Sequence, residues 1–187
     1  MDLRENPRGF VWHCWDPHLH APGRLLSDQF KGDWAAYLGR IKNSSPRVRA
    51  LGVTDYFSIG TYRSVREYFR KGELGEVEFI FPNVEMRLDI KTEKKIPINI
   101  HLLFSPEDKN HEDEIERILG QLKFEYRERF YACTNPELSA LGKDFLGRPD
   151  ADELQARRTG SQSGMHLWHT AYIGRIRWRY HRKRREQ

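Results

Sequence analysis

The chain has 187 residues and two cysteines, Cys14 and Cys133, far apart in sequence. That length suits one ordinary core, and the cysteines form neither a CxxC zinc ribbon nor a disulfide framework. The net charge of +5 is unevenly spread: from Arg157 onward nine Lys/Arg stand against one acidic residue, and the residues before it sum to −3. A mildly acidic body excludes a basic nucleic-acid groove across the domain. No apolar run approaches the roughly 20 residues of a membrane-spanning helix. Residues 1–9 are charged and lack the apolar stretch of a signal peptide. A soluble, cytoplasmic protein is expected.

In chain order, the second half of 10–20 reads as a strand that ends at His18-Leu19-His20. Ala21-Pro22-Gly23 turns the chain. Trp34, Tyr37, Leu38 and Ile41 recur at helical spacing and predict a helix over roughly 31–42, ended by Asn43-Ser44-Ser45-Pro46. Residues 48–54 read as a short buried strand leading into Asp55-Tyr56. Tyr62, Val65, Tyr68 and Phe69 predict a second helix, closed near Gly72. Residues 77–81 are β-prone, with Pro82 interrupting before Val84-Glu85, and 89–95 reads as a turn or hairpin tip. Residues 96–104 give the strongest strand signal. A third helix is expected to start near His111, with Glu112, Asp113 and Glu114 favourably placed in its first turn. Alternating strands and helices argue for an α/β fold with a largely parallel sheet.

In such sheets functional groups gather at the carboxyl ends of strands, where His18, His20, Asp55, Glu85 and His101 all fall. Alternate residues of a strand share a face, so His18 and His20 can aim two imidazoles at one point, and neutral imidazole is a common metal ligand. Asp16 lies on the same face and is placed to fix the tautomer of a ligating ring.

Asp16-Pro17-His18-Leu19-His20, Gly52-Val53-Thr54-Asp55, Asn83-Val84-Glu85 and Ile100-His101-Leu102-Leu103 resemble, in order, the motifs of the PHP (polymerase and histidinol phosphatase) superfamily of metal-dependent phosphoesterases. Gly52 to Tyr56, Phe81 to Glu85 and Ile98 to Phe104 are similar to the PHP-like amino-terminal region of large bacterial AAA/SMC-like ATPases. The resemblance covers roughly residues 8–160. It implies a distorted (β/α)7 barrel, here incomplete, with 1–9 as an extension, 10–156 as the phosphoesterase domain and 157–187 as a basic tail. It implies divalent metal, two ions of zinc, manganese or iron, held by His18, His20, Glu85 and His101, with Glu85 bridging. Glu85 and Asp55 would carry catalysis on a phosphate ester or nucleic acid, and Asp28 would be a weaker ligand.

The chain departs from the family pattern twice. Tyr56 stands where most members have the histidine of a third metal site, leaving Asp55 as an orienting group. No late His, Cys or Asp-x-His motif follows His101, and no P-loop pattern occurs. Residues 161–187 carry no consistent period and read as a truncated or frame-shifted remnant. The competing reading is a basic arm that binds nucleic acid by stacking on Trp168, Trp178 and Tyr180. An incomplete barrel is expected to expose apolar edges and to associate through them, without a membrane role. The alternative to an enzyme is a non-catalytic module that binds a partner. Trp12, Trp15 and Trp34 are expected in core or rim packing and Cys14 and Cys133 as buried thiols. His13, His111, His166 and His169 are assigned no role.

Overall fold

The computed structural model describes residues 12–24, 26, 28–91, 93–94 and 97–167. Its elements run β1 (Cys14–His20), α1 (Trp34–Lys42), β2 (Val48–Tyr56), α2 (Gly60–Arg70), β3 (Phe79–Lys91), β4 (Pro97–Leu103), α3 (His111–Leu119), β5 (Lys123–Tyr126), β6 (Arg129–Ala132), α4 (Asn135–Leu146) and α5 (Glu153–Leu167). The fold is α/β, with a four-stranded sheet in the order β1-β2-β3-β4 and a separate β5-β6 hairpin. Among the described residues, no helix is long and apolar enough to cross a membrane.

The sheet is mixed, largely parallel with one antiparallel strand. β1, β2 and β3 pair in parallel, and β4 returns antiparallel to β3. The connection between β3 and β4 is far too short for the crossover that parallel pairing requires. Nor does Pro82 interrupt β3, which runs unbroken from Phe79. Proline lacks only the N–H, and the Pro82 carbonyl still accepts from Phe104 N at 3.1 Å.

The sheet's two faces have different chemistry. Leu51, Val53, Ile80, Val84 and Met86 point to one face and are buried in the main core with Tyr37, Ile41, Tyr62 and Val65 of α1 and α2. Thr54, Tyr56, Asn83, Glu85 and His101 alternate onto the other, as the strand period requires. Trp15, Phe79 and Phe81 share that second face and form an aromatic group with ring centroids 5.9–6.5 Å apart. Trp15 therefore packs at a rim. Trp12 precedes the first strand and is 96% exposed, so it does not pack in the core. Trp34 is half-buried and stacks on Tyr68. Cys133 is buried as expected, whereas Cys14 is only partly so.

Between Asp16 and Leu19 β1 carries one residue more than β2, a bulge that turns the Pro17 carbonyl toward the sheet. A Cβ on Gly52 would lie 2.2 Å from that oxygen, so only glycine fits beneath the bulge. The second helix ends as expected, its chain turning at Gly72 with φ +72°. α3 starts at His111 with the three acids in its first turn.

The hairpin, α4 and α5 have weak sequence signals. α4 is bounded by Pro136 at its start and by Gly147 in the left-handed conformation at its end. α5 has a short apolar stripe because it crosses α4 on glycines rather than on large side chains. A Cβ on Gly142 would lie 1.8 Å from the Ala156 carbonyl oxygen, and one on Gly160 1.7 Å from that of Leu138. α5 runs without a break through Arg157, where the charge pattern places the start of a tail. Residues 1–11, with the extension 1–9, and 168–187, with His169, Trp168, Trp178 and Tyr180, lie outside the described residues.

Candidate metal centre

The bulged end of β1 brings His18 and His20 against β3. His18 Nε2 and His20 Nε2 are 2.9 Å apart, and each is 3.5 Å from Glu85 Oε2. A point about 1.9 Å from all three atoms lies between them, so the three could hold an ion at distances close to the range for zinc with nitrogen or carboxylate oxygen, about 2.0–2.1 Å. Two imidazoles and a carboxylate are a donor set that suits zinc, manganese or iron.

Glu85 gives the strongest independent sign. It is 2% exposed, its Oε2 faces the two histidine nitrogens at 3.5 Å, and the Tyr56 hydroxyl is a hydrogen-bonding neighbour of the carboxylate. Burying a carboxylate is costly, and a cation beside the histidines would offset that cost. The other oxygen, Oε1, accepts from Asn99 Nδ2 at 2.6 Å. Only one oxygen therefore faces the histidines, and the arrangement fits one ion better than a carboxylate bridging two.

The ring nitrogens are prepared by their surroundings. His20 Nδ1 donates to the Thr54 carbonyl at 3.1 Å, which leaves Nε2 bare as a ligand must be. Burial, reinforced by the Arg24 charge, lowers the His20 pKa to about 4, so the ring is neutral near pH 7. His101 Nδ1 donates to Asn83 Oδ1 at 3.0 Å, and Asn83 Nδ2 in turn donates to the Pro17 carbonyl at 2.8 Å and to Thr54 Oγ1 at 3.0 Å. One asparagine thus ties the β1 bulge, β2 and the His101 tautomer together. Burial lowers the His101 pKa, against the pull of Glu85. His101 is paired with Glu85 across the strands, and its ring centroid lies 4.7 Å from that of His18. It borders the three-atom cluster without belonging to it.

Four other expected residues lie as follows. Tyr56 stacks on the His20 ring with centroids 5.9 Å apart, and burial, then the Glu85 charge, raises its hydroxyl pKa. Asp55 alternates to the opposite side of β2 and is buried at the start of α2. It accepts from Tyr56 N, Ser58 Oγ and Thr61 N at 2.9, 2.9 and 3.4 Å. This is a helix-anchoring role, because Ile59 at the N-cap supplies no side-chain acceptor. Burial raises the Asp55 pKa despite these bonds. Asp28 is not a ligand here: its carboxylate accepts from the amides of Gly23, Phe30 and Gly32 and holds the loop after β1 together. Asp16 accepts from the His18 backbone amide at 3.1 Å; the ring tautomer it was expected to set is set on His20 by Thr54. Glu85 itself lies inside β3 rather than at its end, because the strand continues to Lys91 before turning back.

Asn83, Asn99 and Arg24 are the participants that sequence reasoning missed. The two asparagines had a signal, being polar on alternate positions of otherwise apolar strands. Arg24 had none. It is buried, its guanidinium carbon lies 5.5 Å from the Tyr56 ring centroid, and its charge acts on His20, Asp55 and Glu85. Compared with family models, curated proteins and solved structures, the chain matches none.

Proposed function

We propose that the chain is a PHP-like metal-dependent phosphoesterase domain whose metal is held by His18, His20 and Glu85. The sheet would be the first part of a distorted (β/α)7 barrel of that kind. The buried Glu85 Oε2, 3.5 Å from two histidine nitrogens, is the observation that carries the reading. A divalent ion bound there supplies Lewis acidity for a water nucleophile and for a phosphoryl oxygen. The protein's part is to hold His20 neutral through burial and the Thr54 carbonyl, to fix the Glu85 carboxylate through Asn99, and to keep His101 beside the cluster as a neutral imidazole with its Nδ1 proton on Asn83. In that state the His101 Nε2 can accept a proton from the attacking water and return it to the departing alkoxide oxygen.

Elemental analysis of the purified protein tests this directly. About one equivalent of zinc, manganese or iron is expected in the parent and none in Glu85→Gln. In chelator the Glu85→Gln protein should melt no lower than the parent, because the substitution removes a buried charge and leaves a group that still bonds Asn99. No metal after reconstitution, or full metal in Glu85→Gln, would sink the proposal.

A second reading, a non-catalytic module that docks on a partner, is favoured by Leu103 and Trp15, which are 58% and 61% exposed on the same sheet face as the cluster. One equivalent of metal without turnover on phosphate monoesters or nucleic acid would select that reading.

A further inference from the structure

Arg87 follows Glu85 by one strand period on β3 and has no task in the reading above. Side chains two residues apart on a strand share a face at a spacing of about 7 Å, so Arg87 stands on the face that carries the cluster. It is half-buried, and it lies opposite Asn99 as Glu85 lies opposite His101. Arg87 Nε donates to Asn99 Oδ1 at 3.1 Å, and Asn99 Nδ2 donates to Glu85 Oε1 at 2.6 Å. One asparagine thus links the guanidinium to the carboxylate of the cluster.

What Arg87 lacks is an acid. Arg49, Arg63 and Arg66 are each matched with a carboxylate, whereas Arg87 makes no ion pair among the described residues. Glu85 does not serve, because Asn99 occupies its Oε1 and its Oε2 is turned to His18 and His20. Of the guanidinium only Nε is engaged, and its two terminal amino groups are not among the buried partnerless atoms, so they are open to solvent. The charge is felt at the cluster. Burial raises the Tyr56 hydroxyl pKa and Arg87 counters that rise, while the Tyr56 ring stacks on His20.

We infer that Arg87 is the group that recognises the substrate's anion, its terminal amino groups donating to one phosphoryl oxygen while another oxygen rests on the ion held by His18, His20 and Glu85. This rests on the metal reading above. The planar fork of a guanidinium matches phosphate geometry, and here it is held at Nε with its outer edge left for a ligand. Charge then selects among phosphate esters. A divalent ion less the Glu85 carboxylate leaves one positive charge, and Arg87 adds a second. Arg24 and Asp55, both buried, act on each other with opposite charges and leave that sum unchanged. A phosphate monoester, close to a dianion, balances two positive charges, and a diester balances only one. The site therefore favours a terminal phosphoryl group over an internal phosphodiester.

The test is calorimetric titration of the zinc-loaded full chain at about pH 8, with metal content measured on the same samples. The probes are inorganic phosphate, there chiefly a dianion, and dimethyl phosphate, a monoanion. Phosphate should bind saturably at one equivalent and more tightly than dimethyl phosphate. Arg87→Gln should keep the parent's metal and bind phosphate at least about tenfold more weakly, as the loss of a charge-assisted hydrogen bond predicts. Its margin over dimethyl phosphate should shrink. Arg87→Lys keeps the charge without the fork and should fall between the two. No metal in the parent would remove the metal reading and this inference with it. Metal bound as expected, with phosphate binding absent or indifferent to Arg87→Gln, would overturn this inference alone. Phosphate binding lost only together with metal would do the same, since Arg87 would then act through Asn99 on Glu85. Equal binding of the two probes would overturn the preference for a terminal phosphoryl group.

Discussion

The two faces of β2 and β3 are built from the same strands and the same alternation, yet they serve opposite ends. On one face Leu51, Val53, Ile80, Val84 and Met86 are apolar and buried in the main core. On the other Thr54, Asn83 and Glu85 are almost as deeply buried and are polar. The first face stabilises by removing apolar area from water, at about 25 cal/mol per Å². The second must satisfy every donor and acceptor to break even. Asn83 manages this through Pro17, Thr54 and His101, and Glu85 through Asn99 and Tyr56, with its Oε2 turned to His18 and His20. The lesson is that a strand of period two can keep stability and chemistry on separate faces, one residue apart.

The comparison can be broken most forcefully from the apolar side. Met86 is fully buried, and Met86→Ala should cost about 2–5 kcal/mol in urea unfolding, as a large-to-small core substitution does. The metal content per folded molecule should stay that of the parent. Loss of metal at equal folded fraction would mean that the two faces are not independent.

Gly52 is where the faces meet, and Gly52→Ala should cost about 1–3 kcal/mol by overpacking against the Pro17 carbonyl. Unlike Met86→Ala, it should also lower metal content, because the displaced carbonyl is the one Asn83 holds, next to His18. Urea unfolding beside elemental analysis reads both effects, and stability lost with metal fully retained would count against the shared hinge.

The smallest effect is that of pH on the polar face in chelator. His20 has a folded pKa of about 4, below the ordinary 6.5. Between these values the unfolded chain takes up a proton that the folded one refuses, so stability is full above pH 6.5 and falls as pH drops toward 4. Relative to His20→Gln, the parent should lose stability across that window in urea unfolding. A constant difference between the two proteins from pH 7 to pH 4.5 would show that the ring is not held neutral.

The order of elements as far as α3 was legible because each carries its own local signal. Trp34, Tyr37, Leu38 and Ile41 mark α1 by period, and Glu112, Asp113 and Glu114 mark the start of α3 by charge. The β3-β4 connection reads as a turn from sequence, and a hairpin tip over 89–95 forces β4 antiparallel and places His101 opposite Glu85 inside the sheet. α5 escaped notice because glycines packed against a backbone leave no hydrophobic period to read. Of the metal residues, His18, His20 and Glu85 come together as expected. Asp28 and Asp55 stand outside the cluster, and sequence cannot say whether a carboxylate is committed to nearby amides, as both are.

The crossing of α4 and α5 has a consequence for exchange kinetics. At Gly142 and Gly160 the helices meet backbone to backbone, with no room for even a methyl group between them. Such a contact has no partly loosened form in which side chains give way in turn. α5 should leave α4 as one cooperative unit, its amides sharing a single opening free energy in hydrogen exchange. Since α5 also lines, with Arg157 and Ser161, a cavity of about 320 Å³ that the loop after β1 and the start of α2 complete, a molecule bound there would favour the closed form. By mass action, exchange across the whole of α5 then slows together, in proportion to how tightly the occupant is held.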